Sequence, residues 1–251
     1  MQAVETGHKV VSSTEWLEAR KEFLAKEKEL TRMRDELSRQ RMELPWERVE
    51  KNYVFDGPNG KETLADLFGG KSQLLIYHFM FGPGWEQGCQ SCSLIADNFD
   101  GSLVHLAARD VTLMAISRAT LPEIEAFKKR MGWKFKWVSS NANDFNWDYH
   151  VSFSKEDAEK GTMYYNYDVS AFPSTEGPGV SAFYKDENGE VFHTYSTFAR
   201  GGDILINTYN YLDIAPKGRH EAGLSYPMAW VRHHDRYEGA QAKGAGCCAG
   251  E

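Results

Sequence analysis

Trp16, Phe23, Leu30, Leu37 and Leu44 recur at every seventh position, with Leu17, Leu24 and Met33 beside them and charged residues between. This spacing predicts a helix. Ser12 and Glu15 have capping-box spacing, so the helix is expected to begin there and run to about residue 43, with Pro45 closing it. The apolar stripe is narrow, because Arg20, Glu27, Arg34 and Arg41 fall where a coiled-coil seam would be apolar. The pattern predicts a solvated helix laid along the body, with a homodimerisation arm as the alternative.

Shorter apolar runs follow. Residues 52–55 read as a strand, 56–60 as a turn, and 61–68 as a short helix ending at Gly69-Gly70. Residues 73–81, QLLIYHFMF, are apolar on both faces, as in a central parallel strand covered on two sides. A helix is expected from Cys92 to about residue 105, irregular near Gly101, and then a strand over 110–117. Residues 121–131 predict a helix with Pro122 in its first turn and Gly132 at its end. A third strand is expected over 133–138 and a polar loop over 139–146, while 147–171 is aromatic without a clear period. Residues 180–184 and 190–196 predict a hairpin around Asp186-Glu187-Asn188-Gly189, and 202–212 a last helix. There is no internal repeat. Strand–helix alternation followed by a hairpin implies right-handed crossovers with an antiparallel edge, hence an α/β/α sandwich with a mixed sheet. The expected organisation is a helical extension over 1–46, a globular domain over 47–237 and a tail over 238–251, AQAKGAGCCAGE at its end, expected to be disordered.

Composition narrows the function. A net charge of −7 leaves no excess of Lys and Arg to neutralise phosphates, so nucleic acid is not the expected partner. The first residues lack a basic region followed by an apolar run, and no stretch is long enough to cross a bilayer, so a cytoplasmic location without membrane attachment is expected.

The four cysteines come as two pairs, Cys89/Cys92 and Cys247/Cys248, which suits redox or soft-metal chemistry better than structural stapling. Cys89 and Cys92 lie where a strand and a Gly/Pro-rich loop lead into a helix, whose free N–H groups stabilise a thiolate. The reading is a redox-active disulfide acting on a protein or small-molecule thiol or disulfide, with Cys89, Cys92 and Arg118 as catalytic candidates and Ser91 as a hydrogen-bond donor. The alternative is a metal-binding or metal-delivery module in which His78, Cys89 and Cys92 hold copper, zinc or iron. A third possibility is a non-catalytic scaffold that dimerises through the N-terminal helix. His78 shares a strand face with Leu74, Ile76 and Met80 on simple alternation, which makes a core histidine the main competing role. His105 is a weaker ligand candidate. Arg200 before Gly201-Gly202 could hold an anion, Cys247-Cys248 could resolve or bind soft metal, and His233-His234-Asp235 is expected on a solvated helix face.

The runs YHFMFGPGWEQGCQSCSLIADNFDG, DVTLMAISRA, MGWKFKWVSS and FHTYSTFARGGD resemble the bacterial family called domain of unknown function 899, over roughly residues 11–237. The resemblance implies a thioredoxin-like fold and no particular substrate. Carried over from the thioredoxin pattern, Cys89 is the nucleophile and Cys92 the resolving thiol. Gly88 and Ser91 stand where thioredoxins have Trp and Pro, and Pro178 or Gly179 falls at the place of their cis-proline. Against the peroxiredoxin loop, Pro83 is one residue too close to Cys89 and Glu86 replaces Thr or Ser; Glu86 would disfavour a nearby thiolate. Sco-type copper proteins use a C-x-x-x-C spacing, one residue longer than here.

Overall fold

The computed structural model describes residues 7–172 and 174–238, and the chain divides into two units, Met1–Pro45 and Trp46–Glu251. The first unit is helix α1, Ser13–Arg41. Its capping box forms as the sequence predicts: the Glu15 N–H donates to Ser12 Oγ at 3.3 Å, and the Ser12 N–H donates to Glu15 Oε2 at 3.0 Å.

The second unit is built on an eight-stranded sheet. In chain order its strands are β1 (Glu47–Arg48), β2 (Val54–Gly57), β3 (Gly60–Thr63), β4 (Gln73–His78), β5 (Val111–Ser117), β6 (Lys136–Ser139), and, after the separate hairpin β7 (Met163–Tyr165) and β8 (Asp168–Ser170), β9 (Gly179–Lys185) and β10 (Val191–Phe198). Their spatial order is β1-β10-β9-β4-β5-β6-β2-β3. β4 sits in the middle, parallel to β5 with Ile76 opposite Met114, and antiparallel to β9 with Leu75 opposite Ala182. β5 and β6 are also parallel, so the crossovers run through helices on one face.

That face is covered by α2 (Gln90–Ala96), α3 (Asp100–Ala107), α4 (Leu121–Met131) and α7 (Asn207–Ile214), the last following α5 and α6 in the chain. Tyr77, Phe79 and Phe81 join Ile95, Phe127, Trp137 and Tyr209 in its core. The opposite layer is thin, made by the 3₁₀ turn Asp66–Phe68 and by α5 (Phe145–Asp148), which pack on Leu74, Ile76 and Met114. A third cluster joins Val151 and Phe153 to the β7–β8 hairpin, with α6 (Lys155–Lys160) between them in sequence. The fold is thus the mixed-sheet α/β/α sandwich that the alternation predicts. Among the described residues, no helix is long and apolar enough to cross a membrane.

Several elements differ from the sequence pattern. Residues 61–68 do not form one helix. The turn after Gly57 sends the chain back as β3, with Val54 opposite Thr63, and Asp66 then accepts the Thr63 N–H at 2.8 Å and leaves only a 3₁₀ turn. The helix expected from Cys92 breaks into α2 and α3, because carboxylates at the break serve the strand side instead. Asp97 accepts the Trp133 indole N–H at 2.8 Å, and Asp100 accepts the Lys134 and Phe135 N–H groups at 2.9 and 2.8 Å. The last helix is also two pieces, a 3₁₀ segment Ala199–Leu205 and α7, separated at Ile206, whose ψ of 77° is not helical. The ambiguous aromatic region contains β7 and β8, and Trp133, Phe135 and Trp137 belong to the core. The tail with Cys247-Cys248 lies outside the described residues.

Candidate dithiol site

Strand β4 ends at His78, and the loop that follows folds back on itself before α2 begins. The Phe79 N–H still reaches Ile116 O at 3.0 Å, the Ala119 N–H donates to Phe81 O at 2.7 Å, and the Cys89 N–H closes the loop on Met80 O at 3.0 Å. Cys89 is therefore the N-cap residue of α2, and its carbonyl accepts both the N–H and the hydroxyl of Ser93, at 3.0 and 2.9 Å. Cys92, one turn on, is buried.

Gly88 explains a departure from the thioredoxin pattern. A Cβ there would stand 2.6 Å from a ring carbon of Phe79 and 2.8 Å from one of Phe127. The aromatic core has filled the space that a side chain before the first cysteine would need. Gly88→Ala is expected to cost about 1–3 kcal/mol through overpacking. Urea denaturation measures this, and a cost near zero would mean that the rings move aside freely.

No disulfide joins Cys89 and Cys92 in this structure. Their electrostatics are opposite. The Cys92 thiol donates to the Cys89 sulfur and, with the backbone N–H groups of Ser91 and Cys92 and the Ser91 hydroxyl, lowers the Cys89 thiol to about 7 against the opposing effect of burial. Burial, and then its neighbour Cys89, raise Cys92 well above an ordinary thiol. Cys89 therefore gives up its proton more readily than Cys92. Glu86 does not oppose this: it is exposed and lines a shallow pocket with Phe81, Trp85 and Arg130, apart from the cavity that holds the thiols.

That cavity has a volume of about 420 Å³. Tyr77, Met80, Cys89 and Cys92 form one side, and Pro178, Gly179 and Val180 at the start of β9 form another. No peptide bond among the described residues is cis, so Pro178 holds its place beside the thiols in the trans form. The remaining wall comes from the segment after β10, including Ile206, Tyr209 and Met228. Arg200 reaches the rim of this cavity but is exposed and paired with Asp203 at 3.0 Å.

The structure does not bring His78 to the thiols. Simple alternation put His78 and Met80 on one face, but the strand stops at His78 and Met80 turns into the thiol cavity. His78 instead stays with Ile76 on the far side of β4, stacked on Phe145 and Tyr149 with ring centroids 5.7 and 6.1 Å away. Its Nε2 lies 2.7 Å from Ser181 Oγ, which is 2.7 Å from Ser196 Oγ, which is 2.7 Å from His193 Nε2. Glu47 lies 3.5 Å from His193 Nδ1 at the outer end. A bulge in β10 between His193 and Tyr195 makes this chain possible, because it brings His193 and Ser196, three residues apart, to one face. The buried Nδ1 of His78 has no partner, and an orphaned acceptor is better tolerated than an orphaned N–H. The proton therefore sits on Nε2 and is donated to Ser181, and the hydroxyls pass the same direction on to His193. Burial, followed by His193, holds His78 down to about 3. Among the described residues no three His, Cys, Asp or Glu side chains are grouped to hold a metal ion. The set His78, Cys89 and Cys92 is divided by the sheet, which removes the third ligand from the copper, zinc or iron reading. His105 is exposed on α3.

Arg118 is likewise placed elsewhere. Its guanidinium lies 4.3 Å from the Trp147 ring centroid, and Nε is 3.3 Å from Glu176 Oε1. Glu176 is buried, and that burial pushes its carboxyl up to about 7, against the Ser152 hydroxyl and Arg118, which lower it. Arg118 thus offsets a buried acid rather than tuning a sulfur.

The sequence pattern missed the closing role of the C-terminal segment. His233 is buried instead of solvated, with Nε2 2.9 Å from Gly88 O, next to Cys89. Arg130 of α4 donates to both carboxylate oxygens of Asp235 at 2.8 and 2.9 Å, and His234 meets Asp97 at 2.7 Å. Glu221 accepts from the Tyr209 hydroxyl at 2.7 Å, the Met228 N–H at 3.0 Å and the Trp230 indole N–H at 2.7 Å. The aromatic and charged density of residues 209–237 was the available signal, but with no helical or strand period it could not be placed.

A central strand that leads through a loop into a C-x-x-C helix start, followed by an antiparallel hairpin on its other side, defines a thioredoxin-type α/β protein. The chain belongs to the family described as bacterial protein of unknown function, DUF899, which matches residues 5–237. Comparison with curated proteins gives no match. Solved structures similar to it include peroxidoxin BcpB from Mycobacterium tuberculosis, at 12% identity over 67% of this chain and 97% of that one, with a TM-score of 0.43. Peroxiredoxin Q from Xanthomonas campestris is 12% identical over 62% and 87%, TM-score 0.41. The mitochondrial 2-Cys peroxiredoxin from Plasmodium falciparum is 17% identical over 66% and 94%, TM-score 0.40.

Proposed function

We propose that this chain is a thiol–disulfide oxidoreductase in which Cys89 is the attacking thiol and Cys92 the resolving one. The observation that carries the reading is the opposed character of the two thiols, one lowered to about 7 and one raised, in a pair that opens onto a cavity. The Cys89 thiolate attacks one sulfur of a substrate disulfide, a mixed disulfide forms, and the first thiolate leaves and takes up a proton. Cys92 then loses its proton, attacks the Cys89 sulfur and expels the second thiolate. The products are two substrate thiols and a Cys89–Cys92 disulfide, which an external dithiol reduces again.

Equilibration of the protein in dithiothreitol redox buffers, followed by alkylation and mass measurement, tests this. The peptide carrying both cysteines is expected to shift between dialkylated and unmodified forms at a single reproducible potential. If that peptide stays dialkylated across the whole buffer range, the two sulfurs do not form a redox pair.

A further inference from the structure

Resting on that reading, we infer that the substrate is a small, uncharged, largely apolar organic disulfide that enters the cavity, rather than a disulfide in another protein. The wall across from the sulfurs decides this. Its charged groups are already satisfied by neighbours within the chain. Arg219 gives Nε and Nη2 to the two carboxylate oxygens of Asp213, both at 2.7 Å, and lies 3.9 Å from the Tyr209 ring centroid. Arg200 pairs with Asp203, and one Glu221 oxygen accepts three donors. What faces a ligand is mainly carbon and sulfur: Met80, Ile95, Ile206 and Met228, with the cysteines.

A charged substrate entering such a space gives up water and finds no free counter-charge, whereas an alkyl or aryl disulfide gives up little. A protein disulfide meets a steric obstacle instead. Its two Cα atoms stand about 5.5–6 Å apart, each with chain running on in both directions, and the sulfur must line up with Cys89. Met228 and Glu221, on the segment that Glu221 ties down, are part of the cavity wall and leave that chain to be accommodated outside it. A molecule that fits within about 420 Å³ avoids that obstacle.

The electron balance is that of the dithiol cycle: two electrons pass from Cys89 and Cys92 to R–S–S–R, giving two R–SH and the protein disulfide.

The test uses the full chain, pre-reduced and freed of reductant, and follows loss of protein thiols in a single turnover. The probes are diethyl disulfide, the dianion 3,3′-dithiodipropionate and insulin. Each rate is divided by that of dithiothreitol with the same disulfide, which removes intrinsic reactivity. Diethyl disulfide is expected to exceed both others by at least about tenfold, or 1.4 kcal/mol of discrimination. Equal normalised rates, or insulin fastest, would overturn the inference and leave the dithiol reading standing. No thiol loss with any probe would sink both. Met228→Lys places a cation in the partly exposed wall and is expected to shift the preference toward the dianion. An unchanged preference in that variant would show that the substrate does not use the cavity.

Discussion

Replacing Cys92 with Ala is expected to raise the pH midpoint of Cys89 alkylation from near 7 toward the ordinary thiol value of about 8.5. The Cys92 thiol supplies the largest stabilisation of the Cys89 thiolate, ahead of the backbone N–H groups and Ser91, and alanine removes that donor. The backbone and Ser91 contributions remain, so the midpoint stops short of a fully unperturbed thiol. The same variant keeps the attacking sulfur and loses the resolving one, so it is expected to trap substrate as a stable mixed disulfide in stoichiometric amount. Cys89→Ser is expected to reduce turnover to the uncatalysed level, because a serine hydroxyl is not ionised near neutral pH. Iodoacetamide kinetics across pH 5–10 and intact-mass measurement of the trapped species check the first two, and disulfide-reduction turnover of Cys89→Ser checks the third. A Cys89→Ser protein that still reduces disulfides would remove Cys89 from the mechanism.

The second large effect is in stability. His78 is buried and neutral, with its folded-state pKa near 3 against an ordinary value of 6.5. Between these values the unfolded chain binds the proton and the folded chain does not, so stability is complete above about pH 6.5 and falls as the pH drops. The loss attributable to this one group is about 3 kcal/mol between pH 6.5 and pH 4. His233, lowered first by burial, acts in the same direction. Urea denaturation of the wild type and of His78→Gln at the two pH values isolates the His78 share. The variant is expected to be less stable at pH 7, where it loses the fitted bond to Ser181, yet to lose less on acidification. Parallel pH dependences in the two proteins would show that His78 takes up its proton without unfolding.

The sequence made the middle of the fold legible and its edges less so. β4, β5, α4 and the β9–β10 hairpin follow from local period, caps and turn residues, because in those segments local preference and final packing agree. The breaks after Ala96 and at Ile206, and the conversion of residues 61–63 to strand, depend on distant side-chain partners or on where a turn sends the chain. Asp97 offers no sign in its own neighbourhood that it will accept from Trp133. The thiol pair was legible from spacing, but its surroundings were not. Alternation gives the relative faces of residues within a strand, and it cannot say where the strand stops. Two residues past His78 the rule fails, and that sends Met80 to the sulfurs and leaves the imidazole behind. Arg118 was placed correctly at the end of β5 in chain order, but its partner Glu176 lies far along the chain in a segment without period.

Strand β4 has one further consequence. Tyr77 borders the thiols and His78 heads a file of hydroxyls, and a single peptide unit separates them. The backbone between is fully engaged on both edges, with β5 and with β9. It works as a bulkhead between two compartments that share a wall and no contents.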